Sequence, residues 1–156
     1  MKKSAGLLMY RRTGAGEVEV LLAHPGGPFW RGKDEGAWTI PKGEYDEPED
    51  PLAAALREFG EETGFAVSPP FRPLGEIVQK SGKRILAWAF AGDCDPAQLR
   101  SNTFEVEWPP RSGRRQSFPE IDRVEWFALD AAKRKINPAQ CALLERLAVA
   151  ARDAPA

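Results

Sequence analysis

Three glutamates pose the first chemical question. In the stretch REFGEETG, helical spacing places Glu58 and Glu62 one turn apart with Glu61 beside them. All three turn away from an apolar side made by Leu52, Leu56, Phe59 and Thr63, with Ala55 next to it. Like charges at this spacing destabilise a helix, and the trio lies towards the C-terminal end, where the macrodipole also disfavours anions. A cation should offset both effects. Arg57 can pair with one carboxylate, but oxygen ligands in this number suit a hard divalent cation. Magnesium in particular keeps waters and bridges to substrate phosphates, and manganese can stand in its place. The predicted chemistry is therefore metal with phosphate. The competing reading is a solvated acidic face without a ligand.

The elements that must position these carboxylates follow from local signals. Asp50 is a suitable N-cap, Pro51 a suitable first helical residue and Gly64 a stop, so the spacing predicts a helix over 51–63. AGLLMYRR and VEVLLAHP flank the glycine turn TGAGE as a strand pair, and a long loop, GGPFWRGKDEGA, follows. WTIP reads as a short strand running into Lys42 and Gly43. FRPLGEIVQ and RILAWAFAGD bracket KSGK as a second hairpin, and TFEVEW and RVEWFAL supply further strands. Asp130 can cap a short helix, and Asn137-Pro138 opens a last one carrying Leu143, Leu144 and Leu147. This order of strands, helix, strands, helices predicts an α/β fold: a mixed sheet covered on both faces, an α/β/α sandwich.

The chain from Gly43 also reads G-x5-E-x7-R-E-U-x-E-E-x-G-U, where U is a bulky apolar residue. Glu49, Arg57, Glu58, Phe59, Glu61, Glu62, Gly64 and Phe65 all fall in place. This resembles the Nudix box without a mismatch. The resemblance implies a Nudix-like α/β/α sandwich and metal-dependent hydrolysis of a nucleoside diphosphate linked to another moiety. It further implies that Glu58, Glu61 and Glu62 bind metal and activate water, that the Gly43 or Lys42 carbonyl can add a ligand, and that Arg57 orients the carboxylates. Glu49 matches the first glutamate of the box, in either an outer metal-related role or a structural one. Members of the family often recruit a carboxylate from outside the box. Glu120, in SFPEIDRVEWF, is the candidate, with Glu105 and Glu107 next in order.

For the substrate, Pro41-Lys42-Gly43 is similar to the same tripeptide in dinucleoside polyphosphate hydrolases and RNA decapping relatives. Two basic turns, with Lys80, Lys83 and Arg84 in one and Arg111, Arg114 and Arg115 in the other, are candidates to hold further phosphates. Their alternative is a pair of solvated turns. Trp30, Trp38, Trp88 and Trp108 are candidates for base stacking, with Trp88 taken into the substrate site, while His24 reads as structural. The expected substrate is a dinucleoside polyphosphate. A housekeeping nucleoside triphosphate pyrophosphatase and a nucleotide sensor that does not cleave are the alternatives, with RNA 5′ ends and diphosphoinositols further out.

Composition narrows the remaining choices. The chain has 156 residues and a formal net charge of -1, so no global basic field points to nucleic acid or to an anionic membrane. Charges return at Arg11 and Arg12 before the N-terminal apolar stretch reaches signal or spanning length. Cys94 and Cys141 stand alone, with neither a disulfide framework nor a zinc pattern. The expectation is one domain over residues 1–156, cytoplasmic, a monomer or homodimer, acting on a nucleotide-type small molecule.

Overall fold

The computed structural model describes residues 3–152. Met1 and Lys2 of the N-terminal stretch, and residues 153–156, lie outside that range. The first glycine turn joins β1 (Lys3–Arg12) to β2 (Val18–Pro25), antiparallel with Tyr10 opposite Val20. The other end of β1 takes β3 (Lys42–Glu44), with Ala5 opposite Gly43. The strand expected at WTIP is thus displaced. Trp38 and Thr39 make only single bridges, to Ile136 and Ala23, and Pro41 has no N–H to donate, so regular pairing begins at Lys42.

Helix α1 (Pro51–Thr63) starts and stops where its sequence predicts. The Asp50 carboxylate accepts from the Ala53 amide at 3.0 Å, and Gly64 ends the helix at φ 74°, a left-handed conformation suited to glycine. The second hairpin joins β4 (Arg72–Val78) to β5 (Arg84–Ala91), and β5 runs parallel to β1. Next, β6 (Thr103–Glu107) pairs with β7 (Arg115–Pro119), a strand absent from the sequence reading, as a separate two-stranded arm. Strand β8 (Ile121–Ala128) then returns to pair with β2. Ala128, not Asp130, stands at the N-cap of α2 (Leu129–Lys135), and Asp130 lies within its first turn, where a carboxylate still favours the helix dipole. Asn137 caps a 3₁₀ turn, Pro138–Gln140, which leads into α3 (Cys141–Arg152).

The main sheet has the order β4-β5-β1-β2-β8, with β3 added to β1. Because side chains alternate along each strand, it has two buried faces. Ala5, Leu7, Met9, Leu21 and Phe90 pack under Ala54, Ala55 and Phe59 of α1. Leu8, Leu22, Ile85 and Ala87 on the opposite face pack under Ala132 of α2 and Leu143, Leu144 and Leu147 of α3. The result is the expected mixed-sheet α/β/α sandwich. It anchors α1 rigidly, with the Phe59 ring edge-on to Phe90 at 5.4 Å. Among the described residues no helix is long and apolar enough to cross a membrane.

Candidate active site

The buried side of α1 fixes the depth of each glutamate. Phe59 and Thr63 are buried as their spacing predicts, but so is Glu62, which is only 8% exposed. The helical spacing predicts all three glutamates turned away from the core. Glu62 instead lies at the edge where α1 meets β3, and its Oε1 accepts from the Lys42 amide at 3.1 Å. Glu58 is mostly covered too and presses against Gly43. A Cβ on Gly43 would lie 2.0 Å from both Cδ and Oε2 of Glu58, so no larger residue fits there with Glu58 in place. Glu61 remains exposed.

Arg57 ties the cluster together more extensively than the single pairing expected from its sequence position. Its Nε and Nη2 form a fork to Glu49, both bonds 2.9 Å, and Nη1 reaches Glu58 at 2.8 Å and Glu61 at 3.4 Å. The fork holds Glu49 ionised below its usual range. The hydrogen bonds that Arg57 donates to Glu49 and then to Glu58 hold its proton more tightly than usual. Glu49 therefore orients Arg57, and through it the two neighbouring carboxylates.

Burial dominates the electrostatics. It pushes the Glu62 carboxyl up to about 8, against the Lys42 charge and amide that favour ionisation, while Glu58 and Glu120 add repulsion. Burial likewise raises Glu58, opposed by Arg57 and assisted by Glu61 and Glu120. Lys42 is shifted down by its own burial and by Lys83, against the pull of Glu62, Glu120 and Glu44. Glu120 is thus close enough to act on Glu58, Glu62 and Lys42 together. Lys83 pairs with Glu44 at 3.5 Å.

A hard divalent cation fits this donor set. Glu58 is partly and Glu62 almost fully buried, each against its own ionisation, and Glu120 adds a further negative charge that acts on both. Among the described residues no three acidic, His or Cys side chains stand as a finished coordination cage. Arg57 donates to Oε1 of Glu58 and to Glu61, so a bound cation would share these carboxylates with it. Glu58, Glu62, Glu61 and Glu120, with the Gly43 carbonyl, are the groups available to hold it.

The remaining candidates are scattered. Arg84 pairs with Glu76 at 2.9 Å across β4 and β5. Arg114 and Arg115 stand exposed near the tip of the β6–β7 arm, where Arg115 is opposite Glu107. Glu107 itself accepts from the Arg111 and Gly113 amides and so organises that turn. Trp88 on β5 packs against the α1-side core and is partly covered. Trp38 is corrected as a stacking candidate: it is fully buried, edge-on to Phe127, with its indole N–H on Asp34. Trp108 lies edge-on to Phe29 at 5.5 Å. His24 bridges Asp122 at 2.8 Å and the Lys33 carbonyl at 2.6 Å, joining the long loop to β8.

Sequence reasoning missed Glu44, which faces the lysine pair, and Ser101 and Asn102, which contact the chain around Glu120. The alternation of β3 was the available signal for Glu44. Ser101 and Asn102 lie in an irregular segment with no period to read.

With this geometry in view, a model of the NUDIX domain matches residues 2–147. An RNA pyrophosphohydrolase of Rhizobium meliloti (strain 1021) is 32% identical over 116 residues, which is 65% of this chain and 64% of that relative's length. Among solved structures, a C. elegans Ap4A hydrolase binary complex superposes with a TM-score of 0.65 at 22% identity, covering 94% of this chain and 96% of that one. The NUDIX domain of Shewanella oneidensis NrtR, complexed with ADP ribose, gives 0.64 at 15% identity, covering 95% and 86%. At these identities the structural likeness is one of fold, whereas the family match takes in the carboxylate helix and all eight strands. The chain belongs to the NUDIX family.

Proposed function

We propose that this chain is a divalent-metal-dependent pyrophosphohydrolase, acting as a single domain on a nucleoside diphosphate linked to a further phosphorylated moiety. The observation that carries this reading is the carboxylate face of α1, where Arg57 links Glu49, Glu58 and Glu61 and the buried Glu62 accepts from the Lys42 amide beside Gly43. Magnesium, or manganese in its place, would neutralise phosphate charge and make a bound water more acidic. The chain's own residues do the rest. Glu58 and Glu62 offer oxygens from a helix fixed by the core, Arg57 aligns Glu58 and Glu61, and Lys42 lies where it can meet a phosphate. In the overall reaction a water oxygen bonds to phosphorus, the bridging P–O bond breaks, and a water proton passes to a carboxylate of the cluster. No covalent protein nucleophile is required.

The favoured substrate is a dinucleoside polyphosphate, argued from Pro41-Lys42-Gly43 and from the exposed Arg114 and Arg115 of the arm, while Lys83 and Arg84 are engaged by Glu44 and Glu76. The name of the 32%-identical relative supports a second reading, the 5′-polyphosphate end of RNA. The test is product analysis on dinucleoside tetraphosphate, nucleoside triphosphate, ADP-ribose and 5′-triphosphorylated RNA, each with Mg2+, with Mn2+ and with excess chelator. Turnover that survives chelation would overturn the metal assignment. No turnover on any substrate with metal supplied would favour a sensor.

The arm supplies a sharper test of chain length. A nucleoside triphosphate can be met by the cluster and Lys42 alone, whereas a longer chain gains from cations farther out. Replacing Arg114 and Arg115 together by Ala is expected to raise KM several-fold for a dinucleoside tetraphosphate and hardly at all for a nucleoside triphosphate. High salt should shrink the difference, because exposed contacts are screened. Equal effects on both substrates would reduce the arm to a solvated turn.

A further inference from the structure

We propose that Ser101 is a positioning residue for the reaction. With Asn102 it forms a bracket that sets the Glu120 carboxylate against helix α1, an inference that rests on the proposed role of Glu120. The last turn of a helix leaves carbonyls without intrahelical partners. Here the Asn102 amide donates to the Glu61 carbonyl at 2.8 Å and the Arg100 amide to the Thr63 carbonyl at 2.9 Å, so the segment is fastened to the end of α1. The same segment grips the chain at Glu120. The Glu120 amide donates to the Asn102 carbonyl at 2.8 Å, and the Ile121 amide donates to Ser101 Oγ at 3.0 Å. The Ser101 hydroxyl in turn donates to the Asn102 carbonyl at 2.8 Å, closing the bracket.

From the opposite side, the Gly26 amide donates to the Glu120 carbonyl at 2.9 Å. A Cβ on Gly26 would fall 2.0 Å from the Pro119 carbonyl oxygen, so that approach requires glycine. Three consecutive polar groups around Glu120 are thereby tied, two of them to a segment that rides on the carboxylate helix. The position of Glu120 relative to α1 is consequently tied by the backbone bonds of Asn102 and by the Ser101 hydroxyl, at the base of the arm where Thr103 pairs with Pro119.

Ser101→Ala removes both hydroxyl bonds. It is expected to lower kcat about 10-fold with little change in KM, as loss of a supporting partner does. Ser101→Thr, which keeps the hydroxyl, should restore the rate. The decisive comparison is with Glu120→Gln, which should slow turnover more. Ser101→Ala added to Glu120→Gln should have no further effect, whereas a merely structural role would add its loss. Hydrogen exchange at the Glu120 and Ile121 amides provides a second readout and should quicken in Ser101→Ala while α1 stays protected. Gly26→Ala tests the opposite side and should likewise lose its effect in the Glu120→Gln background. Losses that multiply, or Ser101→Ala turnover at the wild-type rate despite faster exchange, would overturn the bracket while leaving Glu120 its role. Wild-type kinetics in Glu120→Gln itself would overturn the role of Glu120 and the bracket with it.

Discussion

Glu62→Gln is expected to cut kcat by about 1,000-fold while the metal-free protein folds as before and gains stability at alkaline pH. The two effects share one cause. Burial raises the Glu62 carboxyl to about 8, above its ordinary value of 4.5, so the folded state holds that proton more tightly than the unfolded state does. A raised carboxyl contributes stability that is full below about 4.5 and is lost as pH climbs from there to about 8. Ionising Glu62 in the folded, metal-free protein thus costs on the order of 4 kcal/mol at pH 8, with the opposing pull of the Lys42 charge already included. Glutamine has the same shape, can still accept from the Lys42 amide and does not ionise, so the variant's thermal midpoint should change less with pH.

Added metal should reverse the ranking. A bound cation needs Glu62 ionised, so wild-type affinity for Mg2+ should rise towards pH 8 with release of a proton, and its midpoint should climb with metal. Thermal unfolding of both proteins from pH 5 to 9, with Mg2+ and with chelator, measures all of this. Near-normal turnover in the variant would remove Glu62 from the site, and parallel pH profiles would remove the buried titration.

The legible parts of the molecule are those specified by neighbours along the chain. Asp50, Pro51 and Gly64 delimit α1 through local backbone chemistry, and the apolar runs of β1 and β2 on either side of a glycine turn report strands buried on both faces. What could not be read depends on which element covers which. On a helical wheel Glu62 lies between Glu58 and Ala55, at the margin of the apolar side, so the wheel alone does not decide its burial. It is buried because β3 crosses beside it, and the position of β3 depends on pairing with β1, far off in sequence. Strand β7, RQSFP, shows no alternation and pairs only with β6, so no sheet face imposes a pattern on it. The fork from Arg57 to Glu49 spans the helix start, eight residues, beyond the i,i+4 neighbours a wheel can show.

Gly43→Ala is expected to lower activity about 100-fold with only a modest loss of stability, of about 1–2 kcal/mol. Gly43 lies in an extended ladder opposite Ala5, with no left-handed torsion to demand glycine. The demand comes from the helix, because a methyl group would overlap Glu58 Cγ at 2.6 Å as well as its carboxyl. The crowded atoms belong to the outer part of a flexible side chain, so the simplest relief is rotation of Glu58 away from β3. The core under Phe59 stays undisturbed, and the cost falls on the position of the carboxylate. That reasoning makes the two sites interdependent. Glu58→Ala removes every atom that the new methyl would strike, so Gly43→Ala added to Glu58→Ala should change neither turnover nor the unfolding midpoint beyond the Glu58 variant alone. Kinetics and urea unfolding of the two single variants and the double variant measure this coupling. Independent, multiplying losses would mean that Gly43 acts on the site through its own backbone carbonyl, and wild-type activity in Gly43→Ala would mean that the close approach of Glu58 to β3 has no part in the chemistry.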